Sequence, residues 1–132
     1  MEKSNFENLR VFQLSEKLAD YIWDIVISWN YFARDTVGKQ ITRSADSIGA
    51  NIAEGRGRYN FQDNLRFVKI ARASLHETRY WLRRTYVRKL ITSEQINIIK
   101  PIVDELSPKL NAYFKYLERA AKQEKEKNKN NK

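Results

Sequence analysis

Four stretches of this chain repeat their apolar residues every three to four positions, the spacing at which side chains share one face of an α-helix. In the first stretch Leu14, Leu18, Ile22, Ile25 and Trp29 form the stripe, widened by Phe12, Ala19 and Val26. In the second it is Val37, Ile41, Ala45, Ile48 and Ile52. The third places Phe61, Leu65, Val68, Ala71, Leu75, Thr78 and Leu82 inward, and the fourth Ile99, Val103, Leu106, Leu110, Tyr113 and Leu117. Helices of this kind bury one face each, so four with short connections predict an all-α, antiparallel up-down-up-down four-helix bundle.

The breaks follow from local chemistry. The first helix is expected from about Glu7 to about Trp29, with the break at residues 30–34 and Asp35 as the next cap. Gly55-Arg56-Gly57 reads as a stop, since glycine tolerates a left-handed cap. Asn60 is expected to cap the third helix, which runs to about Lys89, and Thr92 or Ser93 the fourth. Pro101 and Pro108 lie inside the fourth, so a kink or break is expected near Pro101. One domain over residues 1–121 follows, with a tail over residues 122–132 that has no apolar residue beyond Ala121 and is expected to be disordered.

Composition removes several classes. With no Cys there is no disulfide and no thiolate metal site. Four Gly and two Pro are too few for the turns of a sandwich or barrel. The first residues lack the apolar core of a signal peptide, and no apolar run approaches the ~20 residues of a membrane span. The expectation is a cytoplasmic protein with no membrane contact.

Charge is unevenly placed. Residues 1–55 carry 6 basic and 8 acidic side chains, residues 56–90 carry 10 and 2, and the tail carries 5 Lys against 2 Glu. So polarised a field fits a polyanionic partner. On the third helix Arg66, Lys69, Arg72, His76, Arg79 and Arg83 recur at spacings of three and four, with Arg84, Arg88 and Lys89 at its end. Arginine outnumbers lysine there, and its planar fork suits phosphate. Tyr59, Tyr80, Trp81 and Tyr86 lie among the cations, where rings can stack on unpaired bases. Arg66, Lys69, Arg72, Arg79, Arg83, Arg84 and Arg88 are the candidate nucleic-acid contacts. A solvated face that keeps the protein soluble is the alternative reading.

A second polar stripe lies beside the isoleucines of the second helix. Gln40, Arg43, Ser47, Asn51 and Glu54 fall within about 80° of one another at 3.6 residues per turn. Gly49, Ala50 and Ala53 would let another helix approach. Ser74 and Glu77 of the third helix are natural counterparts, with Arg43, or an arginine of a neighbouring chain, as the mate of Glu77. A solvated face with incidental charges explains the stripe as well. Phe67, Ile70 and Trp81 lie off the main core stripe and offer a surface to a neighbour.

Catalytic chemistry is not found. His76 is the sole histidine, Ser47 and Ser74 have no base fixed by a third group, and Asp104 and Glu105 point apart on a helix. No metal, cofactor or enzymatic activity is expected.

The run from Gln40 to Gly55, QITRSADSIGANIAEG, and the block FVKIARASLHE from Phe67 to Glu77 resemble the signature of the bacterial four-helix-bundle proteins encoded in intervening sequences of 23S ribosomal RNA genes. The accessory variability protein of diversity-generating retroelements is a relative of that family. The resemblance covers roughly residues 6–120. It implies a ring of five subunits, in which Gln40, Arg43, Ser47, Asn51, Glu54, Ser74 and Glu77 make bonds within and between subunits. The expectation is therefore a non-enzymatic homo-oligomer, a pentamer by resemblance, that binds RNA or DNA through the third helix. The alternative is a scaffold for a protein partner, for example an accessory subunit to a reverse transcriptase.

Overall fold

The computed structural model describes residues 9–130, all in helices and the short links between them. α1 is Arg10–Val26. A short turn Tyr31–Ala33, a π-helical stretch Arg34–Gly38 and the α-helix Lys39–Arg56 run on as one rod, α2. α3 is Phe61–Val87 and α4 is Ser93–Asn130. α2 and α4 each pack against both α1 and α3, which closes a four-helix bundle. The expected start of α1 at Glu7 lies outside the described residues.

The apolar period does what it predicts. Leu14, Leu18, Ile22, Ile41, Ile48, Ile52, Val68, Ile99, Leu106, Leu110 and Leu117 are essentially inaccessible to water. Burying each such side chain contributes roughly 1.5–3 kcal/mol against leaving it exposed. Phe61 departs from the reading: it lies at the surface, edge-on to Tyr116 of α4.

The starts of α2, α3 and α4 and the end of α3 each have a local cause. Asn30, not Asp35, caps α2, its side chain accepting from Ala33 N at 3.0 Å. Asp35 instead pairs with Lys39 one turn on, which holds the lysine's pKa above its usual value. Asn60 caps α3 as expected, accepting from Asp63 N at 2.9 Å. Thr92 and Gln95 exchange side-chain and backbone hydrogen bonds at the start of α4, a reciprocal capping box. α3 ends with Lys89 at φ 62° and Leu90 N donating to Thr85 O at 2.9 Å. The left-handed position falls on a lysine, so sequence offered no glycine to mark it.

Three further expectations are corrected. Gly55-Arg56-Gly57 is no left-handed stop, since no glycine among the described residues has a positive φ and α2 runs to Arg56. Gly55 is there for closeness: a Cβ on it would lie 2.5 Å from Asn64 Oδ1 and 3.1 Å from Asn64 O. The break expected near Pro101 does not occur, since α4 is one helix through Pro101 and Pro108. Both prolines face solvent, where water can serve the carbonyls they free.

The third correction concerns the tail. In place of disorder from residue 122, α4 continues to Asn130. Glu124 anchors it: its two carboxylate oxygens accept from Phe61 N at 3.0 Å and Gln62 N at 3.2 Å. These are orphan donors at the positive end of α3, where a carboxylate is favourable.

Candidate nucleic-acid interface

α3 carries both stripes because it touches two neighbours. Its Ser74, Glu77 and Thr78 meet α2, while Arg72, His76 and Arg79 meet α4.

On the α2 side the expected pairs form within one chain. Arg43 Nη2 donates to Glu77 Oε2 at 3.0 Å and to Gln40 Oε1 at 3.2 Å. Trp81 Nε1 donates to the same carboxylate oxygen at 3.1 Å. One turn along, Ser74 Oγ donates to Ser47 Oγ at 2.8 Å, and Asn51 Nδ2 donates to Ser47 Oγ at 2.9 Å. The Thr78 hydroxyl, fully buried, lies 3.0 Å from Ser44 Oγ and 2.8 Å from Ser74 O. Glu54 takes no part in this seam and pairs instead with Arg58 one turn on. Ser44 and Thr78 belong to the network but carry no charge, and sequence reasoning gave them no polar role. The Arg43–Glu77 pair is not buried, with side-chain exposures of 67% and 38%.

On the other side the cations stand nearly free. Of the seven arginines and lysines expected to meet nucleic acid, only Arg66 has an acidic partner among the described residues, Asp63 at 3.8 Å. Lys69, Arg79, Arg83 and Arg88 are exposed. Arg83 lies over the Tyr80 ring at 5.8 Å, and Arg66 and Arg58 lie over Phe67 at 5.1 and 4.6 Å. Arg72 differs from these. Its Nε donates to Asn111 Oδ1 at 3.1 Å and its guanidinium lies 4.1 Å from the Phe114 ring centre.

The seven do not share one line. Arg72 and Arg79 line a cleft against α4, and Arg83 is exposed over Tyr80 of its own helix. Arg66 sits near the start of α3, and Arg88 lines a groove with Phe32, Tyr80 and Trp81 against the start of α2. Arg84 is half-buried. Spacing alone put Arg72 in one basic stripe with Arg79 and Arg83. The structure shows it packed between α3 and α4, so a charge reversal there would also disturb the seam. Trp81 and Phe67, expected to await a neighbour, are half-covered within the chain, whereas Ile70 is exposed.

The α1–α2 side has the opposite sign. Glu16, Asp20 and Asp46 line a shallow groove there with Gly49, Ala50 and Ala53. Partial burial, with Asp20 nearby, pushes the Asp46 carboxyl above its ordinary value. Across the bundle Arg10 grips Glu105 of α4 through two contacts of 2.7 Å, and these hydrogen bonds hold that carboxyl below its usual range. Among the described residues no group of three His, Asp or Glu is placed to hold a metal ion, and no helix is long and apolar enough to cross a membrane.

Compared with known proteins, the chain matches the family model described as 23S rRNA-intervening sequence protein over residues 7–112. Both signature blocks lie inside that span. Its fold is similar to a crystal structure of a protein with unknown function from the S23 ribosomal protein family of Bacteroides thetaiotaomicron. The TM-score is 0.70 at 30% identity, over 80% of this chain and 98% of that one. No curated protein matches it in sequence.

Proposed function

This chain belongs to the 23S rRNA-intervening sequence protein family, and we propose that it is a non-enzymatic, oligomeric, cytoplasmic binder of RNA or DNA. The observation that carries the reading is the row of cations on α3 without acidic partners. Here α2 and α4 carry carboxylates that pair with cations, at Asp35, Glu54, Glu105 and Asp104, yet Lys69, Arg72, Arg79, Arg83, Arg84 and Arg88 have no acidic partner among the described residues. Like charges three and four apart disfavour a helix. A phosphate backbone would neutralise them.

The test uses Lys69→Glu, Arg79→Glu and Arg83→Glu together, leaving Arg72 in place. The parent should bind single- and double-stranded RNA and DNA with little sequence preference, because phosphate contacts position a protein without reading bases. Its affinity for duplex DNA should fall with salt at a log-log slope of ~−0.9 per phosphate neutralised. The triple variant should keep its helicity and mass but lose binding at moderate salt. Equal binding by parent and variant would refute this face as the contact.

A second reading, a scaffold for self-assembly or a protein partner, draws on one feature. Trp23 and Ile27 at 52% exposure and Tyr31 at 72% border one groove at the α1–α2 end, and Phe32 at 76% borders the next. Such clustered apolar surface favours contact with another protein. A ring of five is the assembly the family resemblance implies, and light scattering should then return about five times 15.7 kDa.

A further inference from the structure

Between α3 and α4 lies a cleft of about 160 Å³, lined by Arg72, His76 and Arg79 from one helix and Ser107 and Asn111 from the other, with Leu75 and Leu110 also lining it. It is too small for a base or a nucleotide, whose sites run to roughly 300 Å³ and more. A single tetrahedral oxyanion with a water or two fits. No carboxylate lines it. Every polar lining residue can donate a hydrogen bond, and two are fixed cations.

We infer that this cleft seats one phosphate group: in the nucleic-acid reading on which this rests, a backbone phosphodiester that fixes the register of the strand along α3. Arg72 sets it apart from the rest of the basic face. The other exposed arginines must lose rotamer freedom to hold a ligand, at a cost approaching ~2 kcal/mol each. Arg72 has lost it already, held by Asn111 Oδ1 through Nε and by the Phe114 ring through its planar face. Its two Nη groups remain to form an end-on fork. With its oxygen committed to Arg72, the Asn111 amide keeps its nitrogen as a donor, and Ser107 adds a hydroxyl. Arg79, two helical turns along, supplies the second cation with no acid lining the cleft to compete. Neutral donors beside a pre-placed guanidinium distinguish a seat for an oxyanion from a generally basic surface.

The decisive variant is Asn111→Asp, which keeps an acceptor for Arg72 Nε but puts a negative charge where the phosphate would lie. Ala112→Asp adds the same charge on the next, exposed residue, outside the cleft. Full-length protein is titrated into a fluorescent single-stranded oligonucleotide, and separately melted in inorganic phosphate or in chloride at matched ionic strength. Asn111→Asp should weaken oligonucleotide binding by about tenfold or more, against about threefold or less for Ala112→Asp. Phosphate should raise the melting temperature of the parent and of Ala112→Asp, and not of Asn111→Asp. Ser107→Ala, which changes no charge, should lower affinity without altering the salt slope. If Asn111→Asp and Ala112→Asp weaken binding equally and phosphate stabilises all alike, the cleft is refuted while the nucleic-acid reading stands. If the parent binds no oligonucleotide but phosphate still stabilises it through Asn111, the seat takes a free phosphate and the nucleic-acid reading falls. If a polyglutamate peptide gives the parent the same Asn111-dependent stabilisation as phosphate, the seat is for carboxylates and the inference is overturned.

Discussion

The two seams that flank α3 are built from the same helix and obey opposite rules. Toward α2, polar groups are matched pair by pair: Ser44 with Thr78, Ser47 with Ser74, Arg43 with Glu77. At its end Gly55 admits Asn64 so closely that no Cβ fits. Toward α4, donors face a cleft with no acid, and Arg72 is held by an amide and a ring. In the first seam these pairs are made within the chain, and only at its Gly55 end does a buried acceptor, Asn64 Oδ1, have no hydrogen-bond partner among the described residues. The second has hydrogen-bonding capacity left over. A helix that spends one face on its own fold and leaves the other unmatched can hold a partner without unfolding to do so.

That contrast can be broken from either side, and the largest effect belongs to the glycines. Gly55→Ala should destabilise the protein by up to about 2 kcal/mol, because the overpacking cost of ~1–3 kcal/mol outweighs the ~1 kcal/mol gained in helix propensity. Gly49→Ala makes the control: a Cβ there meets Ser15 Cβ at 3.5 Å, an ordinary contact, so it should stabilise by about 0.5–1 kcal/mol. Urea unfolding of both variants reads the pair. The same sign for both would mean that the α2–α3 approach is not tight.

Thr78→Val comes next. It keeps the volume of a fully buried side chain and removes its hydroxyl, while Ser44 retains Ile41 O as a partner at 3.1 Å. The expected loss is about 1 kcal/mol, measured by the same unfolding curves. A neutral result would make the hydroxyl ladder incidental.

The smallest effect is expected at the ion pair. Breaking such a pair by Arg43→Ala or Glu77→Ala in a fully buried site would cost ~3–5 kcal/mol. The exposure of both side chains reduces this to roughly 0.2–1 kcal/mol in an isolated subunit. A loss of several kcal/mol, coupled to a fall in mass by light scattering, would mean that a neighbouring subunit covers the pair.

What sequence determined here is whatever depends on period and on neighbours within a turn. Leu14 to Trp29 and Ile99 to Leu117 face inward because burial repeats at 3.6 residues. Asn60 and Thr92 cap because their side chains reach N–H groups three residues on. The Arg43–Glu77 pair was legible because α3 segment 56–90 offers only two acids to a stripe rich in partners. Tertiary structure decided the rest. Glu124 reaches Phe61 N across 63 positions, and no local rule could have told this helical anchor from a solvated lysine-rich tail. Phe114 and Asn111 fix Arg72 from another helix, so its difference from Arg79 and Arg83 exists only once α3 and α4 are packed. Gly55 looked like a stop because glycine tolerates many backbone shapes. Its helical φ and the nearness of Asn64 show that the missing side chain, not the freedom of the backbone, is what the fold uses.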